Sequence, residues 1–282
     1  MKCPNCQTEL PSGARFCFHC GAPQQPQAHS REPAPKARVR LDGNVEQQLT
    51  EQFFQALRQR VEEEHDPGKA NAYSERLYES GFRDTAFRRF GQLGEELKAM
   101  DRNGQPDARQ INRKVELLFE GLLDYFLIHF CQDINSFALP EAILKYEGRA
   151  WKDIDLFQMV LDYLAFEQEP NEIVYLDFLK MPVEKLKNAG KFFLFPEREE
   201  RIFFICNQSL LGSCKEGFAM TERGLYWKAQ LQTARKLTFD NLDEVRREQD
   251  WLLLNGHFFH ASPSIDLKLM RLLKKIRLIR PL

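Results

Sequence analysis

A chain of 282 residues, 43% hydrophobic and 29% charged, has the composition of a soluble globular protein and is long enough for two cored domains beside a small metal-bound unit. Its 40 Lys and Arg against 41 Asp and Glu leave a formal net charge of -1, which excludes a cationic field over the whole molecule and argues against a dedicated, electrostatically steered and strongly salt-dependent nucleic-acid binder. The opening Met1-Lys2-Cys3-Pro4 carries no apolar leader and no window reaches the length of a membrane span, so the expected location is cytoplasmic.

Cys3 and Cys6 frame Pro4-Asn5, and Cys17 and Cys20 frame Phe18-His19, giving C-x2-C-x10-C-x2-C. Two residues between thiolates let a tight turn aim both sulfurs at one ion, and the longer spacer brings the second pair round to complete a tetrahedron. Gly21 follows, where positive φ lets backbone N–H groups reach the sulfurs. The spacing predicts one structural Zn2+ held by Cys3, Cys6, Cys17 and Cys20 in a zinc ribbon over 1–22. A catalytic zinc needs an open position, which four thiolates close, and His19 reads as a solvent-facing knuckle residue. So short a unit buries no core, and metal supplies its folding energy, roughly 10–16 kcal/mol in small peptides. Cys131, Cys206 and Cys214 read as buried thiols of a reducing compartment.

From Ala22 to Arg38 there is no aromatic or branched aliphatic residue, and Pro23, Pro26, Pro33 and Pro35 keep the chain extended. A flexible linker is expected over 23–43, its end made basic by Lys36, Arg38 and Arg40. Asn44 and Gln47 form a capping box, and Val45, Leu49, Phe53, Leu57 and Val61 mark one helix face as far as Asp66-Pro67-Gly68. The acidic run Glu62-Glu63-Glu64 reads as a solvated face. A second helical region spans about 69–100, interrupted near Ser80-Gly81, with Phe87, Phe90, Leu93, Leu97 and Met100 on its stripe. The helix beginning at Asp107 carries Ile111, Val115, Leu118, Leu122, Tyr125 and His129, with His129 read as a core or helix-contact residue. Shorter helices follow Pro140 and Trp151, the latter with Leu156, Val160, Tyr163 and Leu164. These elements predict a helical bundle over 44–169 whose interior is wholly aliphatic and aromatic, with no convergent carboxylates.

Beyond Pro170 the pattern shifts through a short helix at Pro182 to Ala189 into strands. Arg201 to Cys206 is one, and Arg235 to Phe239 another. Gly217 to Thr221 and Leu225 to Lys228 flank Glu222-Arg223-Gly224, read as a three-residue loop with glycine in the left-handed region. Trp251 to Leu254 and His257 to His260 flank the hairpin signal Asn255-Gly256. A last helix, Ser264 to Ile279, has Ile265, Leu269, Leu272 or Leu273, and Ile276 on its apolar side. Lys268, Arg271, Lys274, Lys275, Arg277 and Arg280 on this helix and its end face a single acid, Asp266. Its apolar side cannot enter lipid and close a sheet at once, so it is expected to pack inward and leave its cations for a weak acidic contact.

The stretches GFAMTERGLYWK at Gly217 to Lys228, WLLLNGHFF at Trp251 to Phe259 and LMRLLKKIR at Leu269 to Arg277 resemble the bacterial pleckstrin-homology-like domain that occurs in zinc-ribbon proteins. The expected fold is then α+β: N-terminal zinc ribbon, central helical bundle, and a C-terminal pleckstrin-homology-like split β-barrel with a capping helix, over 170–282 with its leading helix. The resemblance implies a binding or scaffold module without an assigned reaction.

No phosphate-cradling, zincin or nucleophile-elbow motif occurs, and no catalytic residue is assigned. Cys206, Cys214, His257 and His260 fail as a second zinc site, because strand residues three apart point to opposite faces. The favoured reading is a non-enzymatic cytoplasmic interaction or scaffold protein with a protein partner, and no membrane contact is expected. A nucleic-acid-associated protein using the zinc ribbon and basic linker is the alternative, with Phe16 or Phe18 to stack on bases but only Lys2 and Arg15 against Glu9 in the ribbon. An enzyme with an unrecognised site is the third.

Overall fold

The computed structural model describes residues 38–102, 104 and 107–280. The expected zinc ligands Cys3, Cys6, Cys17 and Cys20, and most of the expected linker, lie outside the described residues.

The first half is helical: α1 (Val45–Glu64), α2 (Ala70–Glu79), α3 (Phe82–Arg102) and α4 (Ala108–Phe130). Asn44 caps α1, its side chain accepting the Gln47 N–H at 3.1 Å, while the Gln47 amide turns to Glu51 and only half of the capping box forms. The α1 stripe of Val45, Leu49, Phe53, Leu57 and Val61 is buried as its spacing predicts. Gly81, at φ +71°, separates α2 from α3 at the predicted break. Phe53, Phe90 and Phe119 meet with ring centroids 5.3–5.9 Å apart at the centre of this first core.

Helix α4 departs from the predicted stripe. Ile111, Val115, Phe119, Leu122, Leu123, Phe126 and Leu127 are buried, whereas Tyr125 and His129 are exposed, their rings 4.3 Å apart. The histidine expected in the core or at a helix contact is thus a surface one. The reason is that α4 packs on two sides, against α1 and α3 and, from the other direction, against the short turn Glu141–Tyr146 and the C-terminal helix α7 (Pro263–Ile279). A helix enclosed on two sides buries more than one stripe, and Asp124 goes in with it.

The second core joins sheet and helix. Met159, Val160, Tyr163 and Leu164 of α5 (Leu156–Leu164), with Ile143 and Tyr146, pack in one cluster with α7, the strands and Ile128 of α4. Five strands run antiparallel in sequence order: β1 (Ile173–Tyr175), β2 (Ile202–Asn207), β3 (Gly217–Thr221), β4 (Gly224–Lys228) and β5 (Arg235–Thr238). A second sheet contains β6 (Val245–Glu248), β7 (Trp251–Leu254) and β8 (His257–Phe259). Helix α6 (Val183–Phe192) leads into β2, and Ala189 and Phe193 at its end cover Ile205, Ala219 and Tyr226. Phe204, Phe218 and Leu225 face the α7 side instead. Covered on both faces, β2 to β4 read as continuous apolar runs.

The fold class is α+β as expected, but no barrel closes: β5 and β6 belong to separate sheets. The chain between them turns through Phe239–Asn241, and α7 packs on β6 and β7. The Asn255-Gly256 hairpin forms as predicted, with φ of +47° and +75°. The other hairpin differs from its prediction. Gly224 is the first residue of β4, and a Cβ there would stand 2.1 Å from the Leu237 carbonyl oxygen, so glycine serves close strand approach, while Thr221 Oγ1 closes the turn by accepting from Gly224 N–H.

Candidate functional site

Spacing of four on a helix puts two side chains on one face. Arg60 and Glu64 do so at the end of α1, and Glu120 and Asp124 on α4. The two faces meet with Arg271 of α7 between them. Arg60 reaches Glu64 at 3.2 Å, Glu120 at 2.7 Å and Asp124 at 3.1 Å. Arg271 reaches Glu64 at 3.4 Å, Glu120 at 2.9 Å and Asp124 closer still. Apart from Glu120, every side chain in the cluster is at most 6% exposed.

Three carboxylates against two guanidinium groups leave this buried cluster one charge short of neutral. Burial raises the Glu64 pKa above the ordinary carboxylate value, against the pull of Arg60, Arg271 and Lys274. Its second oxygen, Oε2, has no hydrogen-bond partner, and neither does Glu120 Oε2, although the latter lies 2.9 Å from the Arg271 guanidinium. Burial acts the same way on Glu120, but there Arg271 and Arg60 prevail and hold it well below the usual range. Burial also opposes the charge on Arg271, yet Asp124, Glu120 and Glu64 together keep its pKa above that of a free guanidinium. The Tyr163 hydroxyl and Arg271 Nε complete the buried polar region without a hydrogen-bond partner.

The two corrections this cluster makes are linked. Glu64, expected on a solvated face, is fully buried, and carboxylates do converge inside the helical layer. The cations of α7, expected to remain available, are largely taken up within the protein. Lys274 pairs with Glu63 at 2.6 Å, Lys268 with Glu169 at 2.7 Å and Arg280 with Asp240 at 2.5 Å, and Arg277 donates to the Asp243 carbonyl at 2.6 Å. Arg113 of α4 donates to the carbonyls of Ile279 and Arg280, both at 2.9 Å. The arrangement is a clamp that fixes α7 against α1, α4 and the sheet connections. It offers no exposed nucleophile or base.

The remaining cysteines fit their expectation of inert burial. Burial pushes Cys131 up to about 12 and Cys214 up to about 11, and raises Cys206 further with the help of Glu172. Cys206 and Cys214 lie in different core clusters on opposite sides of the sheet. His257 pairs across the hairpin with Leu254, and His260 Nδ1 meets Asp266 at 2.8 Å, so the four do not assemble. Among the described residues no group of three or more His, Cys, Asp or Glu is placed to hold a metal ion. No described helix is long and apolar enough to cross a membrane.

One cavity of about 360 Å³ lies between the α2–α3 corner and α4, beside Phe82, Arg89, Tyr125 and Phe130. Glu147 enters it against Gly121 and pairs with Arg89 at 3.4 Å. Another, of about 380 Å³, lies between the β2–β3 and β4–β5 loops and the end of β8, beside Gln208, Lys228 and His260.

The ribbon lies outside the described residues, and its donor set carries its metal chemistry. Four cysteines in two C-x2-C pairs supply the number and softness of donors that Zn2+ takes in a closed tetrahedral site. The family model of the zinc-ribbon domain matches residues 2–24. No curated protein and no solved structure matches the chain. The chain therefore carries an N-terminal zinc-ribbon domain, and the residues beyond it have no family assignment.

Proposed function

We propose that this is a non-enzymatic cytoplasmic interaction or scaffold protein in which Cys3, Cys6, Cys17 and Cys20 bind one structural Zn2+ and a linker tethers the ribbon to the body. The expected linker end at 43 moves back to about Arg38, because Val39 is buried and Arg38 pairs with Glu116, and the expected division at 169/170 gives way to one body, because α5 shares its core with α7 and the strands. The observation that carries the reading is the closed four-cysteine set within the matched zinc-ribbon domain, which leaves no coordination position for a substrate. The burial of the Arg60, Glu64, Glu120, Asp124 and Arg271 cluster supports it, because the convergent charges of the body pair with one another instead of facing a reactant. The C-terminal part, 170–282, is a pleckstrin-homology-like module on this reading. Its support is the order of elements, with strands β2 to β5 in one sheet, β6 to β8 in another and a single helix last.

Nucleic-acid binding through the basic linker end has less support. Arg38 pairs with Glu116 at 2.5 Å, which reduces the positive charge that end offers. The test compares the full chain with Cys17→Ser. The wild type is expected to hold one zinc and to crosslink in cytosol to a discrete protein that the variant fails to capture. A filter-binding titration with mixed RNA and DNA at two salt concentrations is run in parallel. Tight, steeply salt-dependent nucleic-acid binding lost with the ribbon overturns the proposal in favour of the alternative.

A further inference from the structure

The register of the five-stranded sheet brings two hairpin loops to one end. Asn207 pairs with Gly217, Gly217 with Lys228, and Trp227 with Arg235, so the loops over 208–216 and 229–234 rise side by side from the same row. Both present leucine at their tips. Leu210 and Leu211 are 84% and 96% exposed, and Leu231 is 97% exposed. Scattered exposed leucines are ordinary; three almost wholly exposed ones gathered at one end of a sheet are not.

Neither packing nor turn chemistry explains them. Leu231 has φ +60°, a region that favours Gly or Asn, and there its side chain gains no burial in return. The β2–β3 loop makes its turn with Gly212 at φ +66° and closes with polar contacts, Ser209 N–H and Cys214 N–H donating to Asn207 Oδ1 and Asn188 of α6 donating to the Ser213 carbonyl. Its leucines take no part in those hydrogen bonds.

The two loops themselves carry charge of one sign, although Lys236 pairs with Glu197 at 3.6 Å. Neither the stretch 208–215 nor the stretch 229–236 contains an acid, while Lys215, Arg235 and Lys236 lie within them. Glu216, next in sequence, is paired with Lys228 at 3.2 Å. Helix α6 adds Lys185, whose ammonium lies 4.0 Å from where a Cβ would stand on Gly212, and exposed Lys191, while its Lys187 pairs with Glu184 at 3.5 Å. Lys215 sits over the Phe192 ring at the end of that helix.

We propose that this leucine-tipped end of the sheet inserts into the surface of an anionic lipid bilayer. The tips are convex side chains on separate loops, which a fluid interface accommodates without a preformed complementary groove, and the flanking cations add attraction to anionic headgroups. The expectation against membrane contact concerned α7, whose apolar side and cations are taken up internally; the loops form a different face.

The test uses the full chain and large unilamellar vesicles of phosphatidylcholine, with or without phosphatidylglycerol. Cosedimentation is expected with the anionic vesicles, weaker at high salt and weaker still with phosphatidylcholine alone. The triple variant Leu210→Ser, Leu211→Ser, Leu231→Ser should lower the partition coefficient by roughly tenfold or more with an unchanged melting temperature. Absence of binding to either vesicle, or binding undiminished in the triple variant, overturns the proposal. So does concentration-dependent self-association without lipid that the triple variant abolishes, since the face would then join two copies of this chain.

Discussion

Replacing Arg271 by Met keeps the unbranched stem of the side chain and removes its guanidinium at a position that is 1% exposed. Glu64, Glu120 and Asp124 would then keep Arg60 as their one directly paired cation, with Lys274 and Lys275 acting from further off, so the deletion leaves buried carboxylates undercompensated. Breaking one partner of a buried ionic group costs about 3–5 kcal/mol, and Arg271→Met is expected in that range at neutral pH. The control is Arg58→Ala, which deletes a pair of the same i,i+4 spacing whose side chains are 75% and 49% exposed and should cost no more than about 0.5 kcal/mol. Adding Asp124→Asn to Arg271→Met removes one of the stranded charges, so the double variant should recover about half of the loss. The pH dependence carries a definite sign. Burial already raises Glu64, and loss of Arg271 raises it further, so its proton is bound more tightly in the folded than in the unfolded chain. That penalty is full above the folded pKa and is relieved as pH falls, so the difference between variant and wild type should narrow in acid. Urea denaturation across a pH series measures all of this. A single variant within about 1 kcal/mol of wild type, or a difference that widens as pH falls, would refute the reasoning.

His65 supplies an opposite pH signal: burial, with Arg60, Arg247 and Arg271 nearby, lowers its pKa to about 4, so its contribution is present above the unfolded value and lost as pH falls from about 6.5 toward 4. The loss should approach about 3 kcal/mol in that window and be absent from His65→Asn, as read by urea midpoints. A chain beginning at Arg38 should bind no zinc and melt cooperatively near the full-length temperature, because Val39 and the Arg38–Glu116 pair, which dock on the helices, are retained. Gly224→Ala should cost about 2 kcal/mol or more, since its Cβ would collide with the Leu237 carbonyl oxygen, whereas Gly190→Ala, exposed near the end of α6 with nothing within 4 Å, should be neutral or stabilise by up to about 1 kcal/mol. Leu269→Asp places a charge at a fully buried position of α7 and should prevent folding with no membrane present, seen as loss of a cooperative melt.

Much of the secondary structure was legible because its signals are local. The α1 stripe, the Asn44 cap, the break at Gly81 and the Asn255-Gly256 hairpin are each specified within a few residues. The ribbon's donor set was legible for the same reason, since two C-x2-C pairs within a short segment carry their own chemistry. Short β1 escaped notice because three residues show no usable period, and β6, Val-Arg-Arg-Glu, because its composition is polar. The role of Gly224 was misread because the contact that requires glycine comes from β5, across the sheet.

The sequence by itself determined the zinc-ribbon chemistry, the α+β class and the amphipathic character of the helices. Only the tertiary structure decided what the charges do. Arg271 and Glu64 are 207 residues apart along the chain, and Arg271 and Asp124 are 147 apart. Either end of each pair, read alone, is an ordinary charge on an ordinary helix. Once α7 packs on α4 and lies beside the end of α1, water is excluded between them, and the same residues must pair because an isolated buried charge is too costly to leave. The helix that the sequence presents as a cationic surface thereby becomes an internal strut, while two loops at one end of the sheet carry leucines almost wholly exposed to solvent.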